Sequence, residues 1–386
     1  MSRTSRPSRR LVVVMLALWL PAGAGTTRVT ATDTVLFSDD FSAGLARWDV
    51  VGESAVAVRD SGDSSHGPVL ELTPNGDVLA LVRGSDRWPR VRVEGDIRFP
   101  TDIDNYLGLA YYANESNGRW DFGLIYVKGN NGYLQANPHR DFNVSRLVYP
   151  ESRALLRGPA AVETGVWQRF AYEVAGADVH VYVGPGTVPQ MTFRADGQLQ
   201  GRLGLQPRSV GGPVWVDNVV VREIDRLSYD GPPVPAITYT PQDLLTSWEM
   251  AGPLTATDDD IARHPARYDA WRRVTTDHRG AVVTGHDVDT HGPRTVAYYR
   301  THIRPAAPGT VDLVFGTADD LAVWSNGRFQ AFLSRQDAAW YDVHTNPAHP
   351  GRRLPLDLVP GDNDVVVRVR GGVYASGGFF ARVVPG

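Results

Sequence analysis

Cysteine is absent from this 386-residue chain. That excludes disulfides, haem attached through thioether bonds, cysteine-ligated zinc and a lipoprotein anchor. Stability must then come from core size, or from a bound cation. Lysine is almost absent too: Lys128 stands alone among 39 basic residues, a bias read as genomic preference for arginine. There is no strong net charge either. A formal charge of −4 leaves no electrostatic footprint for nucleic acid or an anionic membrane surface. Long hydrophobic runs are missing as well. The run Leu11–Leu20, preceded by Arg3, Arg6, Arg9 and Arg10, is about half the length a bilayer-spanning helix needs. Small residues follow at Ala22-Gly23-Ala24 and again at Val29-Thr30-Ala31, so residues 1–31 read as a signal peptide. Ser8-Arg9-Arg10 suits either the twin-arginine or the general secretory route. The mature chain is expected to be secreted, monomeric and without a membrane span.

Glycine (39) and proline (27) are plentiful and lie between short apolar runs, which suits many strands joined by tight turns. From Phe37 to Ile224 period-two runs recur about every ten residues, with hairpin turns expected at Asn114–Gly118 and Lys128–Gly132. Asp230–Ala236 is rich in proline and reads as a stiff, exposed linker. Strands resume near Ala281, Thr295, Val311, Asp320, Asp364 and Gly378, after one helical turn expected at Pro241–Leu245 and a helix expected over Asp258–Val274. The expectation is an all-β chain: a signal peptide (1–31), a β-sandwich (32–228), a linker (229–236) and a second β-sandwich (237–386).

Particular motifs sharpen this. Asp39-Asp40-Phe41 with Trp48, Trp167-Gln168-Arg169-Phe170, Gly201-Arg202-Leu203-Gly204-Leu205 and Val216-Asp217-Asn218-Val219 resemble the concanavalin A-like jelly rolls of laminin-G-like and glycan-hydrolase-associated domains. In the second half, Val311–Gly327 contains the turn Ala318-Asp319-Asp320 and the hairpin signal Asn326-Gly327. Leu358–Asp364 answers it with Pro360-Gly361-Asp362-Asn363. Together they resemble the closing strands of galactose-binding-like β-sandwiches found beside carbohydrate-active enzymes. Both resemblances imply a fold firmly and a glycan ligand by analogy, and neither implies catalysis.

Alternation over Arg119–Val127 predicts Trp120, Phe122, Leu124 and Tyr126 in the core, with Arg119 and Asp121 on the opposite face. Joined by Tyr133, Gln135, Asn137 and Arg140, they would form a face of planar donors, acceptors and one aromatic ring, suited to sugar hydroxyls and C–H faces. The alternative is an ordinary solvated face. In a sandwich whose first and last strands are neighbours, Asp39 or Asp40 would approach Asp217. Either a calcium ion held by Asp40 and Asp217 offsets that repulsion, or Asp40 and Asn218 simply cap turns. In the second half, binding is expected in loops around Trp271 and the Trp340-Tyr341 pair.

No arrangement of residues makes a convincing catalytic pair. There is no Glu-x-Asp-x-Glu run, Glu94 and Asp96 lack a third acid, and no Gly-x-Ser-x-Gly elbow occurs. The segment His286–His291 sits between glycines and reads as a solvated loop. The leading expectation is a non-catalytic secreted protein that binds polysaccharide or glycoconjugates. Still open are a glycan-degrading enzyme (a glycoside or 3-keto-glycoside hydrolase, or a lyase) acting through the first sandwich, and an adhesion module that binds protein.

Overall fold

The computed structural model describes residues 34–385 apart from 53–55, 74–76, 102–105, 130–131, 145–152, 196, 198, 208–211, 236–243, 256–269, 277–279, 284–294, 306, 318–319, 334–351 and 371–377. The expected signal peptide, Trp340, Tyr341, His286–His291 and most of the expected helix lie outside these residues.

Alternating apolar residues bounded by glycine turns fold this chain into antiparallel strands. Among the described residues there is no α-helix, only two short 3₁₀ turns, Ser85–Arg87 and Gly158–Ala160. Residues 272–275, where the expected helix would end, are a strand paired with Ser247–Thr255. Of the turn expected at Pro241–Leu245, residues 241–243 lie outside the described residues; Leu244 forms an isolated bridge to Arg382. At residues 272–274 the cause is plain: local helix propensity is a weak prior against pairing in a sheet.

The first sandwich has two eight-stranded sheets. The back sheet runs Met191–Arg194, Asp178–Val183, Gln168–Ala175, Arg90–Arg98, Val214–Glu223, Pro68–Leu72 and Val56–Asp60, with Val35–Asp39 also paired to Val214–Glu223. The front sheet runs Asn143–Val144, Tyr133–Arg140, Arg119–Lys128, Tyr106–Ser116, Arg202–Pro207, Leu79–Val82 and Trp48–Val51, with Arg153–Leu155 also on Tyr133–Arg140. Their inner faces meet in one apolar cluster that includes Ile97, Phe170 and Val216 from the back and Leu109, Ile125 and Leu134 from the front.

The outer face of the back sheet is ionic. Buried Glu173 accepts hydrogen bonds from Arg92 (2.8 Å), the Tyr182 hydroxyl (3.1 Å) and the Ser228 amide (2.9 Å). Ser228 immediately precedes the proline-rich stretch, and Val234 within it exchanges backbone and side-chain bonds with Thr192. The linker, expected to be stiff and exposed, is exposed and also tied down just before its start and near its end. Its anchors are an acid and a threonine on distant strands, which local composition does not show.

The second sandwich pairs a six-stranded sheet (Arg272–Thr275, Ser247–Thr255, Thr295–Ile303, Asn363–Arg370, Asp320–Ser325, Arg328–Leu333) with a four-stranded one (Val282–Val283, Gly378–Pro385, Gly309–Thr317, Arg352–Leu358). Trp248, Tyr299, Phe315 and Phe379 fill its interior. The two expected turn motifs meet here. Asn326 and Gly327 both have positive φ, 48° and 77°, as a two-residue hairpin requires. Fully buried Asn363 accepts from the Val359 amide (2.9 Å) and the Asn326 side chain (3.0 Å), and donates to the carbonyls of Val359 (2.8 Å) and Ile303 (3.2 Å). One side chain thus closes the Pro360-Gly361 turn and docks the hairpin against it.

Replacing Asn363 by Ala should lower folding stability by about 1–3 kcal/mol, because several buried partners lose their bonds. Asp362→Ala, which breaks only exposed pairs with Arg304 and His302, should leave it nearly unchanged. Denaturant titration of the two variants checks the contrast; equal effects would contradict it.

Candidate functional site on the outer face of the front sheet

Strand Arg119–Lys128 is apolar on both sides. Ile125 and Val127 point into the sandwich core, whereas Phe122, Leu124 and Tyr126 belong to a second cluster with Leu79, Leu81 and Ala110 on the outer face. The pairing register decides what joins them: Tyr126 faces Gln135, Leu124 faces Asn137 and Phe122 faces His139. Tyr106 lies opposite Lys128, and Gly108 lies between Tyr126 and Gln206. Gly108 is required for this packing, since a Cβ there would come within 2.9 Å of Leu124 and 3.0 Å of Gln206.

These side chains form a polar cluster within an apolar frame. The Tyr126 hydroxyl and His139 Nε2 are 2.6 Å apart, and His139 Nδ1 is 3.1 Å from the Phe142 carbonyl. A carbonyl only accepts, so Nδ1 carries the hydrogen and Nε2 accepts from the phenol. Phe122 lies flat on the imidazole, 5.1 Å between centroids, and fixes its plane. The Lys128 ammonium sits 4.4 Å from the centre of the Tyr106 ring and 4.3 Å from that of Tyr133, a double cation–π contact. Gln135 donates to Asn137 Oδ1 at 2.7 Å. The other end of that amide has no partner: Asn137 is 1% exposed, and its Nδ2 makes no hydrogen bond. Such a buried donor costs about 1–3 kcal/mol until something accepts from it.

The structure splits the set expected from the sequence. Tyr133, Gln135 and Asn137 share the outer face with Tyr126, whereas Asp121 pairs across to Arg140 on the other parity, and both are exposed at the strand ends. Arg119 is exposed beside the Asn117-Gly118 turn. Tyr126 and Phe122 had been expected in the core, Lys128 had been read as a sign of genomic bias, and His139 was not assigned to the binding face. With Phe122, Leu124 and Tyr126 on one side of the strand and Ile125 and Val127 on the other, alternation cannot tell core from outer face. Only the register opposite Gln135 and Asn137 does.

Asp40 and Asp217 occupy the meeting of first and last strands, where Asp39 stands opposite Val219 and Asp217 opposite Asp96. Asp39 is engaged by the Phe41 amide and the Trp48 indole, and Asp40 by the Ser42 amide (3.1 Å) and hydroxyl (2.6 Å). Asp217 is buried, with Oδ1 unpartnered. It therefore offers one free oxygen to a cation. Among the described residues, no group of three or more acidic or histidine side chains is arranged to hold an ion. Desolvation by burial pushes the Asp217 carboxyl above its ordinary range, and nearby Asp96 and Asp40 push the same way. A raised carboxyl favours folding while protonated, so its contribution is lost as pH rises through the raised value.

Asp217→Asn should therefore raise the melting temperature at neutral pH by a few degrees in EDTA. The expected companion result is a wild-type midpoint that does not move between calcium and EDTA. A calcium-dependent rise that the Asn variant loses would instead make the site a resident calcium site.

Trp271 immediately precedes the strand Arg272–Thr275 and is half-buried, with the Arg300 guanidinium 4.4 Å over its ring. Arg300 is held in turn by Glu249 at 3.0 Å. This face of Trp271 is covered by its own domain.

No protein-family model and no curated protein matches this chain. Solved structures that resemble part of it include a cellulose-induced protein, Cip1, at 15% identity and a TM-score of 0.34, over 48% of this chain and 96% of that one. A carbohydrate-binding module, CBM66 of Bacillus subtilis, matches at 12% identity and 0.33, over 46% and 95%. A Bacillus subtilis protein of unknown function with a galectin-like fold matches at 12% and 0.35, over 50% and 97%.

Proposed function

We propose that this is an exported carbohydrate-binding protein whose ligand lies on the outer face of the front sheet, across Tyr126, Gln135, Asn137 and Lys128. Its two halves act as a concanavalin A-like and a galactose-binding-like sandwich, with the contact to polysaccharide made by the first. The observation that carries this reading is Asn137. Its buried amide end has no acceptor and stands in a row of planar polar groups framed by aromatic rings. A sugar hydroxyl supplies the missing acceptor, and the ring carbons of the sugar suit the apolar frame. At the ends of the same strands, Arg119, Asp121 and Arg140 are exposed to water and bear no such buried, unpartnered atom.

Affinity electrophoresis of the full chain against a panel of soluble neutral and acidic polysaccharides tests this. Asn137→Leu, close in shape and lacking the amide, should weaken retention at least about tenfold, the equivalent of one hydrogen bond. Arg119→Ala and Asp121→Ala should leave retention unchanged. Retention lost with Asp121→Ala but kept with Asn137→Leu would move the site to the strand ends, and no retention on any polymer would sink the reading.

A further inference from the structure

We propose that this same face cleaves a uronate-containing polysaccharide by β-elimination, with Tyr126 as the group that moves the proton. The proposal rests on the binding reading above and adds the substrate class and the reaction.

The argument begins with the residue types present. Glycoside hydrolysis calls for two carboxyl groups flanking the scissile bond. Along the middle of this face, from Phe122 to Lys128 and from Tyr133 to His139, no carboxylate occurs. What occurs instead is a phenol bonded to an imidazole, two carboxamides and an ammonium group.

That inventory suits a different task. The hydrogen on C5 of a uronic acid is α to a carboxylate. Removing it requires a base, donors that neutralise the carboxylate so that charge can spread onto it, and a proton for the departing oxygen on C4. His139 is held in the tautomer whose Nε2 lone pair already faces the Tyr126 hydroxyl at 2.6 Å. It can take the phenolic proton, leaving a phenolate. The phenolate takes the C5 hydrogen, and the electron pair of the C5–H bond becomes the C4=C5 double bond as the C4–O bond breaks. Tyr126 passes the proton it has just taken to that oxygen, and His139 returns the first proton to Tyr126. One proton moves from C5 to the leaving oxygen, and neither water nor a redox partner is consumed.

The carboxylate has its donors on the same face. Asn137, with its unpartnered Nδ2, stands on the neighbouring strand between Gln135, opposite Tyr126, and His139, opposite Phe122, alongside the bonded pair, and Lys128 lies about 7 Å along the strand from Tyr126 on the side away from His139. The position of the lone lysine gains a reason here. In a chain that otherwise uses arginine, a compact ammonium is placed between two tyrosine rings, those of Tyr106 and Tyr133, on the same face.

The test is incubation of the full chain with polygalacturonate, alginate and polyglucuronate, with xylan as the neutral control. Ultraviolet absorbance follows the new double bond, conjugated to its carboxylate, and new reducing ends are counted in parallel. Absorbance and reducing ends should rise together on at least one acidic polymer. Tyr126→Phe should reduce that rate by about 10²–10⁴-fold, a loss larger than any accompanying change in retention on the polymer, and His139→Gln should act in the same direction. Melting curves of both variants show whether either fold is lost, and the variant that stays folded decides. Reducing ends without absorbance would mean hydrolysis and overturn the proposal, as would full activity in the folded Tyr126 or His139 variant. Absence of product from all three acidic polymers also overturns it. If retention and its loss in Asn137→Leu persist, binding alone stands; if they vanish too, both readings fall together.

Discussion

The register between Arg119–Lys128 and Tyr133–Arg140 is the constraint on which the site depends. A strand apolar on both sides has two surfaces it could bury, and slipping its partner by one residue would exchange every side chain on one face for its neighbour. With Tyr126 opposite Gln135, Ile125 and Val127 complete the sandwich core, and phenol, amides and imidazole collect on the outer face. With the opposite register the core would receive the amides and the outer face Leu134 and Ala136. The inner packing and the polar cluster are therefore two results of one pairing.

Much of the architecture could be read from the sequence because it is written locally. Glycine and asparagine at positive φ mark the hairpin after Ser325, and the alternation of Val216 with Asp217 and of Val323 with Trp324 identifies strands without reference to their partners. The helix expected over Asp258–Val274 gives way to a strand at its described end, residues 272–274, because a short polar stretch carries no record of the strand that will pair with it. The site was legible only in part. Tyr133, Gln135 and Asn137 stood out by chemistry, but the companions chosen for them were near in sequence and wrong in parity. Their actual companions, Tyr126 and His139, are set by cross-strand geometry that no single strand contains.

The two sandwiches use buried asparagine in opposite ways. Asn363 has both ends of its amide satisfied and serves the fold, joining a turn, a hairpin and an adjacent strand. Asn137 has one end satisfied by Gln135 and the other left open. The same side chain, equally hidden from water, is a fastening in one domain and an unmet demand in the other. Burial alone would have ranked them together; counting their bonds separates them.

The open amide of Asn137 also affects how the protein would respond to selection. A group that is desolvated without a partner burdens the folded state whenever no ligand is present, so apolar replacements there are among the easiest routes to a tougher protein. A search for heat-resistant variants, carried out without polysaccharide, would drift towards this position and erase the recognition surface while every measure of folding improved. A place where the chain leaves its own bonding incomplete is a place prepared to receive something else.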